Sequence, residues 1–321
     1  MKKIRAAVIG VGYLGRFHAQ KYAALEDCEL VAVVDADAAV AARVAAEVGA
    51  RPLRDYRDLL GAVDAVSVVT PTPSHAEITG GLLRAGAHVL VEKPITETAQ
   101  QAQQLIELAR EQRRVLQVGH LERFNPAIVA AEPLLSRVRF IECTRLAPFS
   151  ERGTEVNVVL DLMIHDIDLV QMIVGSPLAS LDAVGTPVFS GEIDIANARL
   201  RFQNGCVANV TASRVSVKTE RKLRVFRDDV CPYLSIDLHQ KILTVIRKRS
   251  SPATEGELPV QIEEQSFAQG DALLAEIQAF LAAVRGERAV VVSGEDGLRA
   301  LRTAIAITES VGANAAEAAH A

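Results

Sequence analysis

Six residues near the N-terminus constrain this chain more than any others: Gly10-Val11-Gly12-Tyr13-Leu14-Gly15. An apolar run at residues 4–9 leads into them, and helical periodicity follows to about residue 25. A glycine turn between a strand and a helix opens a βαβ unit. Gly10 permits the tight turn, Gly12 lets the backbone approach a pyrophosphate, and Gly15 lets the helix pack close to the strand. The helix N-terminus adds free N–H groups and the positive end of a dipole. Asp35 closes the next apolar run, residues 30–34, and stands 20 residues after Gly15. A carboxylate at that distance meets the adenosine ribose hydroxyls of a dinucleotide and repels a 2′-phosphate. Ala36 and Asp37 follow and offer no basic partner, so NAD is expected over NADP. A helix-capping role for Asp35 is compatible with the same position.

The alternation continues beyond that unit. Residues 38–48 read as alanine-rich helix and 65–69 as a strand, followed by Thr70-Pro71-Thr72-Pro73. Ser74 reads as the N-cap of a helix through Arg84. Residues 87–91 form a strand ending in Glu92-Lys93-Pro94; 96–112 are helix and 115–118 strand. Nearly continuous Val, Ile and Leu in the strands imply burial on both faces. The first half is therefore an α/β Rossmann domain, a doubly wound parallel sheet.

The pattern changes after about residue 122. A strand at 138–147 and an apolar helix at 158–174 precede long strands at 193–202, 207–214, 223–227 and 242–247. Asn204-Gly205 marks a hairpin between two of them. This is the pattern of an α+β domain with a large, mostly antiparallel open sheet. Helices at 272–285 and 295–311 close the chain, and a tail from Gly312 is expected to fray. The expected domains are 1–122 and 123–321, with the final helices able to pack back on the first.

Composition narrows the partners. Among 321 residues, 35 Lys and Arg face 40 Asp and Glu, a net charge of −5. Such a chain has no global attraction to nucleic acid or an anionic membrane. No apolar run reaches the length of a membrane span. Lys2 and Lys3 precede an apolar stretch, but glycines interrupt it, so it reads as a strand rather than a signal peptide. Cys28, Cys143, Cys206 and Cys231 form no CxxC pair, as expected of reduced thiols in a cytoplasmic protein.

Two further motifs carry chemistry. Lys93 ends a strand on the side where ligands of open α/β sheets bind. Asp161, His165 and Asp168 are spaced i, i+4 and i+7, one face of an otherwise apolar helix. Caps and buried hydrogen bonds would explain them blandly. Metal ligation lacks an HExxH pattern or a cysteine partner, so no metal is expected. An acid–base site is the more economical reading. His165 would take a hydroxyl proton near neutral pH, and Lys93 would donate to the developing alkoxide. Asp161 would orient one of the two, and Asp168 would either hold the far ring nitrogen or only pack. In the segment from His120 to Pro126, Arg123 reads equally as a fork for a diphosphate or as a surface salt bridge, with Asn125 beside it.

The GxGxxG turn, the Thr70-Pro71-x-x-x-His75 segment, the Glu92-Lys93-Pro94 turn and the DxxxHxxD helix, in this order, resemble the Gfo/Idh/MocA family of NAD(P)-dependent sugar oxidoreductases. The resemblance covers essentially the whole chain. It implies Lys93, Asp161 and His165 as the catalytic group. Gly10, Gly12, Tyr13, Leu14, Gly15, Asp35, Thr70, Pro71, His75, Glu92 and Lys93 would line the dinucleotide. His120, Arg123 and Asn125 would join Asp161 and His165 at the substrate. It also implies a cis Lys93–Pro94 bond and a homodimer or homotetramer formed through the second domain. Residues 8–18 and 118–126 look like the branch of the family that oxidises the C3 hydroxyl of UDP-N-acetylglucosamine, for later amination by an aminotransferase in lipid A biosynthesis. Two other expectations stand beside it. One is a dehydrogenase of another sugar or cyclitol. The other is a non-catalytic dinucleotide-sensing regulator, against which intact Lys93, Asp161 and His165 argue.

Overall fold

The computed structural model describes residues 3–150, 153–228, 233–249, 259–267 and 269–320, with 315–320 described by backbone alone. They group into two units: Met1–Leu121 with Ala272–Leu301, and Glu122–Asp271 with Arg302–Ala321.

The first unit begins β1 (Ile4–Ile9), α1 (Tyr13–Ala24), β2 (Cys28–Val34), α2 (Ala38–Val48) and β3 (Arg51–Leu53). It continues with β4 (Ala65–Val68), α3 (His75–Arg84), β5 (His88–Glu92), α4 (Ala99–Glu111) and β6 (Leu116–Gly119). The six strands pair in parallel in the order β3-β2-β1-β4-β5-β6. The order reverses between β1 and β4, and the crevice beyond their carboxyl ends is where such sheets bind ligands. Local chemistry sets the helix ends. Asp37 accepts the N–H groups of Ala39 and Val40 at the start of α2, and Gly49 closes that helix at φ 70°. Thr98 and Gln101 form a reciprocal capping box on α4. Ser74 does stand at the N-cap of α3, but its hydroxyl caps nothing there. It donates to Thr70 Oγ1 and the Pro71 carbonyl, in a short 3-10 turn that leads into the helix.

The second unit carries α5 (Pro126–Ala131), β7 (Val138–Leu146), α6 (Ile164–Val174), β8 (Leu178–Thr186), β9 (Ile195–Phe202) and β10 (Val207–Ser213). Beyond them come β11 (Glu220–Arg227), β12 (Tyr233–Asp237), β13 (Ile242–Lys248) and β14 (Val260–Ser266). These strands form one sheet in the order β14-β13-β12-β11-β7-β10-β9-β8. All its pairings are antiparallel except β7 with β10. Strand β9 alternates buried and exposed residues, the period of a strand with one covered face. The β9–β10 hairpin turns at Asn204-Gly205, where Gly205 takes φ 83°.

Two helices end the chain, α7 (Ala272–Val284) and α8 (Gly294–His320). The backbone of α8 stays helical through His320, so the expected fraying from Gly312 is corrected. Helix α7 and the first turns of α8 belong to the first unit, so the second is not the unbroken stretch 123–321. The physical reason is burial. Leu273, Ile277, Phe280 and Leu281 of α7 enter one apolar cluster with Ile4, Val8, Tyr22 and Val33. Each such side chain contributes about 1.5–3 kcal/mol when removed from water. Among the described residues, no helix is long and apolar enough to cross a membrane. Cys28, Cys143 and Cys206 are buried free thiols, and Cys231 lies outside the described residues.

Candidate active site

The glycine turn of the first unit divides its labour by position. A Cβ on Gly10 would meet the Val69 carbonyl oxygen at 2.6 Å, and Gly10 holds φ 79°. A Cβ on Gly15 would lie 1.8 Å from the Gly10 oxygen. These two glycines are demanded by the fold. Gly12 is different: its Cβ would meet nothing within 4 Å. That open space lies at the N-terminus of α1, where Gly12 has no side chain to cap the helix and the first turn carries no acid. Backbone N–H groups there suit a phosphate.

Asp35 is held rather than free to swing. One carboxylate oxygen accepts from the Val11 N–H at 3.0 Å and the other from the Asp37 N–H at 3.0 Å. Each oxygen keeps lone pairs for ribose hydroxyls. A cleft of about 420 Å³ runs from Gly10 and Asp35 past Arg54 and Tyr56 to Thr70 and Pro71. The residues present therefore fit a dinucleotide's adenosine and diphosphate. The expectation that no basic residue stands near Asp35 is corrected. Arg54 and Arg57 line the same cleft, because the short β3 returns the chain to the sheet edge. Arg57 is engaged by Asp55 and Glu77.

Tyr13 and Leu14 open α1; Tyr13 is exposed and meets Phe17 edge to face. His75 is buried, and its two ring nitrogens lie 2.9 Å from the Pro94 carbonyl and 2.8 Å from the Thr70 carbonyl. Both nitrogens are thereby engaged by the backbone. His75 ties the loop after β4 to the turn after β5 and does not line the cleft directly. That turn contains a cis Lys93–Pro94 bond. Lys93 is half-buried. Glu92 is turned towards His18: its Oε1 is 3.2 Å from His18 Nε2, and its Oε2 accepts the Lys93 N–H.

In the second unit, Asp161 and His165 do not stand on one regular helix. Val159–Met163 is a π-helical segment, and α6 starts after it. The i, i+4, i+7 phase assumed 3.6 residues per turn, which a π-turn breaks. Asp161 and His165 are half-buried. Asp168 is fully buried and faces elsewhere, accepting Arg123 Nε at 2.7 Å and Nη2 at 2.5 Å. Asp166 likewise accepts Arg145 through two nitrogens, and Arg145 also reaches Glu122.

These contacts revise the expected substrate residues. The Arg123 fork is fixed by a buried carboxylate, which corrects both the free diphosphate fork and the surface salt bridge. Asn125 caps α5 by accepting the Ala127 N–H and donates to the Leu238 carbonyl, so its side chain is structural. His120, in the first unit, is buried.

A further pair went unnoticed in the sequence. Asp194 accepts N–H groups from Val188, Phe189 and Ser190, the Ser190 hydroxyl and Arg214 Nε. Burial opposes its charge, yet these donors prevail and hold its pKa far below the usual carboxylate range. Arg214 also donates to the carbonyls of Gly153 and Val156, anchoring the segment that leads to Asp161. The two residues are 20 apart in sequence with no motif joining them.

Comparison with known proteins adds to this geometry. Residues 4–120 match the oxidoreductase family with an NAD-binding Rossmann fold, and residues 150–315 match that family's C-terminal alpha/beta domain. The chain belongs to the Gfo/Idh/MocA oxidoreductase family. Among its relatives is the UDP-N-acetylglucosamine 3-dehydrogenase of Acidithiobacillus ferrooxidans, 40% identical over 312 residues, 97% of this chain and 98% of the relative. A solved structure of that enzyme superposes with a TM-score of 0.90 at 39% identity, covering 98% of this chain and 99% of the other. The inositol 2-dehydrogenase of Rhizobium meliloti is 25% identical over 341 residues, 96% of this chain and 97% of that one. Like its family, this oxidoreductase has NAD as cofactor, with a Rossmann cleft built for it.

Proposed function

We propose that this chain oxidises the C3 hydroxyl of UDP-N-acetylglucosamine to the 3-keto sugar nucleotide, with NAD. The observation that carries the reading is the 40% identity, across 97% of the chain, with a dehydrogenase of that substrate. Bound NAD supplies the hydride acceptor. His165 takes the hydroxyl proton, a task suited to an imidazole. Lys93 donates a hydrogen bond that strengthens as charge grows on the substrate oxygen. Asp161 orients the acid–base group. Asp35 favours NAD over NADP by accepting from the ribose hydroxyls. Gly12, Gly15, Tyr13 and Leu14 bring the start of α1 to the diphosphate, and Thr70 and Pro71 close the far wall. The UDP group, remote from C3, supplies binding energy that positions the reacting carbon.

The ketone product goes to an aminotransferase, in lipid A biosynthesis. The enzyme works in the cytoplasm as a homodimer or homotetramer. A second reading, oxidation of a free cyclitol, draws on the inositol dehydrogenase relatives.

The test follows NADH formation with UDP-N-acetylglucosamine while an aminotransferase and glutamate remove the ketone. Free N-acetylglucosamine and inositols are run in parallel. Turnover of the nucleotide sugar alone is expected. An inositol turning over well, with UDP-N-acetylglucosamine inert in the trapped assay, would establish the second reading.

A further inference from the structure

One carboxyl group of the first unit has no part in the chemistry above. Glu276, on α7, is completely buried, and neither of its carboxyl oxygens has a hydrogen-bond partner. Its neighbours are Glu92 at the end of β5 and His18 on α1. One nitrogen or oxygen from each of the three lies within 4.8 Å of the others. His18 is fixed from behind: its Nδ1 is 3.3 Å from Ser67 Oγ, which is 2.9 Å from the Tyr22 hydroxyl. Gln117 Nε2 donates to the Glu276 carbonyl oxygen and anchors α7 at this point. The wall is tight on the other side, where a Cβ on Gly119 would lie 2.8 Å from the Glu92 carboxyl.

Two carboxylates this close, out of water, cannot both be ionised. Burial pushes the Glu276 carboxyl well above the usual range, and the charge of Glu92 pushes it further. Glu92 is the better place for the charge. It keeps slight exposure, faces His18, and accepts the Lys93 N–H.

We propose that Glu276 is a positioning residue: it stays a neutral acid beside Glu92, leaves the negative charge on Glu92, and so fixes the carboxylate on which the Lys93 backbone rests. The importance of that position rests on the reading of Lys93 as a catalytic group.

The experiment uses the full chain in three forms: wild type, Glu276→Gln and Glu276→Leu. Infrared spectra at neutral pH should show the carbonyl stretch of a protonated carboxylic acid in wild type and not in Glu276→Gln. Glutamine keeps a neutral polar group of the same shape beside Glu92, so its kcat should stay close to wild type. Leucine removes the polar group beside Glu92, and kcat should fall about 10- to 100-fold, the scale of an ångström-level misplacement, while NAD affinity holds. Thermal unfolding and NAD titration of each variant separate a misplaced lysine from a lost fold. If Glu276→Leu does not fold, the infrared band and the Glu276→Gln rate decide the matter. Absence of the acid band, a wild-type kcat in folded Glu276→Leu, or a stoichiometric divalent metal lost in Glu276→Gln would each overturn the proposal. A chain with the acid band but no NAD-dependent turnover of any sugar would overturn the proposed function instead.

Discussion

Arg123 and Asp168 form a two-pronged ion pair whose side chains are only 7% and 2% exposed. Removing one partner of such a pair leaves a buried charge without compensation, which costs about 3–5 kcal/mol. Arg123→Ala should therefore lower stability by that amount in urea titration. Lysine should not rescue it, because an ammonium cannot reproduce the planar fork. Near-normal stability with selectively weakened UDP-sugar binding would return Arg123 to the substrate.

Cofactor choice turns on Asp35 and Arg54, which line one cleft. Loss of hydrogen bonds to a charged acceptor costs about 1.5–3 kcal/mol. Asp35→Ala should weaken NAD by that amount in a fluorescence titration and narrow the gap to NADP. Adding Arg54→Ala should widen the gap again, since one cation of that cleft, available to a 2′-phosphate, is lost. Wild-type affinity for NADP at or above that for NAD would refute the assignment.

The proposed chemistry makes separable demands on His165 and Lys93. Alanine at either position should cut kcat by about 10²–10⁴, the usual scale of general acid–base catalysis. NAD affinity should hardly change in His165→Ala. A flat, near-normal kcat across pH in that variant would leave His165 as a packing residue.

Stability should also depend on pH through His88. Its Nδ1 accepts the Val115 N–H at 2.9 Å, and Arg114 lies against the other ring nitrogen. Burial, then the charge of Arg114, push its pKa from 6.5 down to about 4. Between those values the unfolded chain binds the extra proton, so stability rises with pH. The contribution is complete above 6.5 and is lost as pH falls through about 4. Urea melts of His88→Gln should show a flatter slope across that window than wild type. Identical slopes would remove His88 from the acid sensitivity.

Much of the first unit was legible because its signals are local. Strands buried on both faces, the glycine turn and Asp35 all lie within short spans. Arg54 was hidden because β3 has three residues, too few for a period to register. The π-turn before α6 was hidden too: the apolar run there satisfies a 3.6 repeat, and nothing in Val159–Met163 announces an added residue per turn. Arg123 and Asp168 are 45 residues apart, so their pairing is a product of the fold. Glu276 reads in sequence as an ordinary charge on a helix; only the docking of α7 makes it a buried acid.

That docking reaches into how the protein is made. A nascent chain that has released β6 from the ribosome still lacks Leu273, Ile277 and Phe280, which complete the cluster around Tyr22 and Val33. The 150 residues of the second unit from Glu122 to Asp271 must be translated before α7 emerges, on the order of ten seconds at typical rates. Throughout that interval the unfinished face of α1 is a natural chaperone substrate. A premature stop after Leu121 would yield not a small NAD-binding protein but an aggregation-prone fragment.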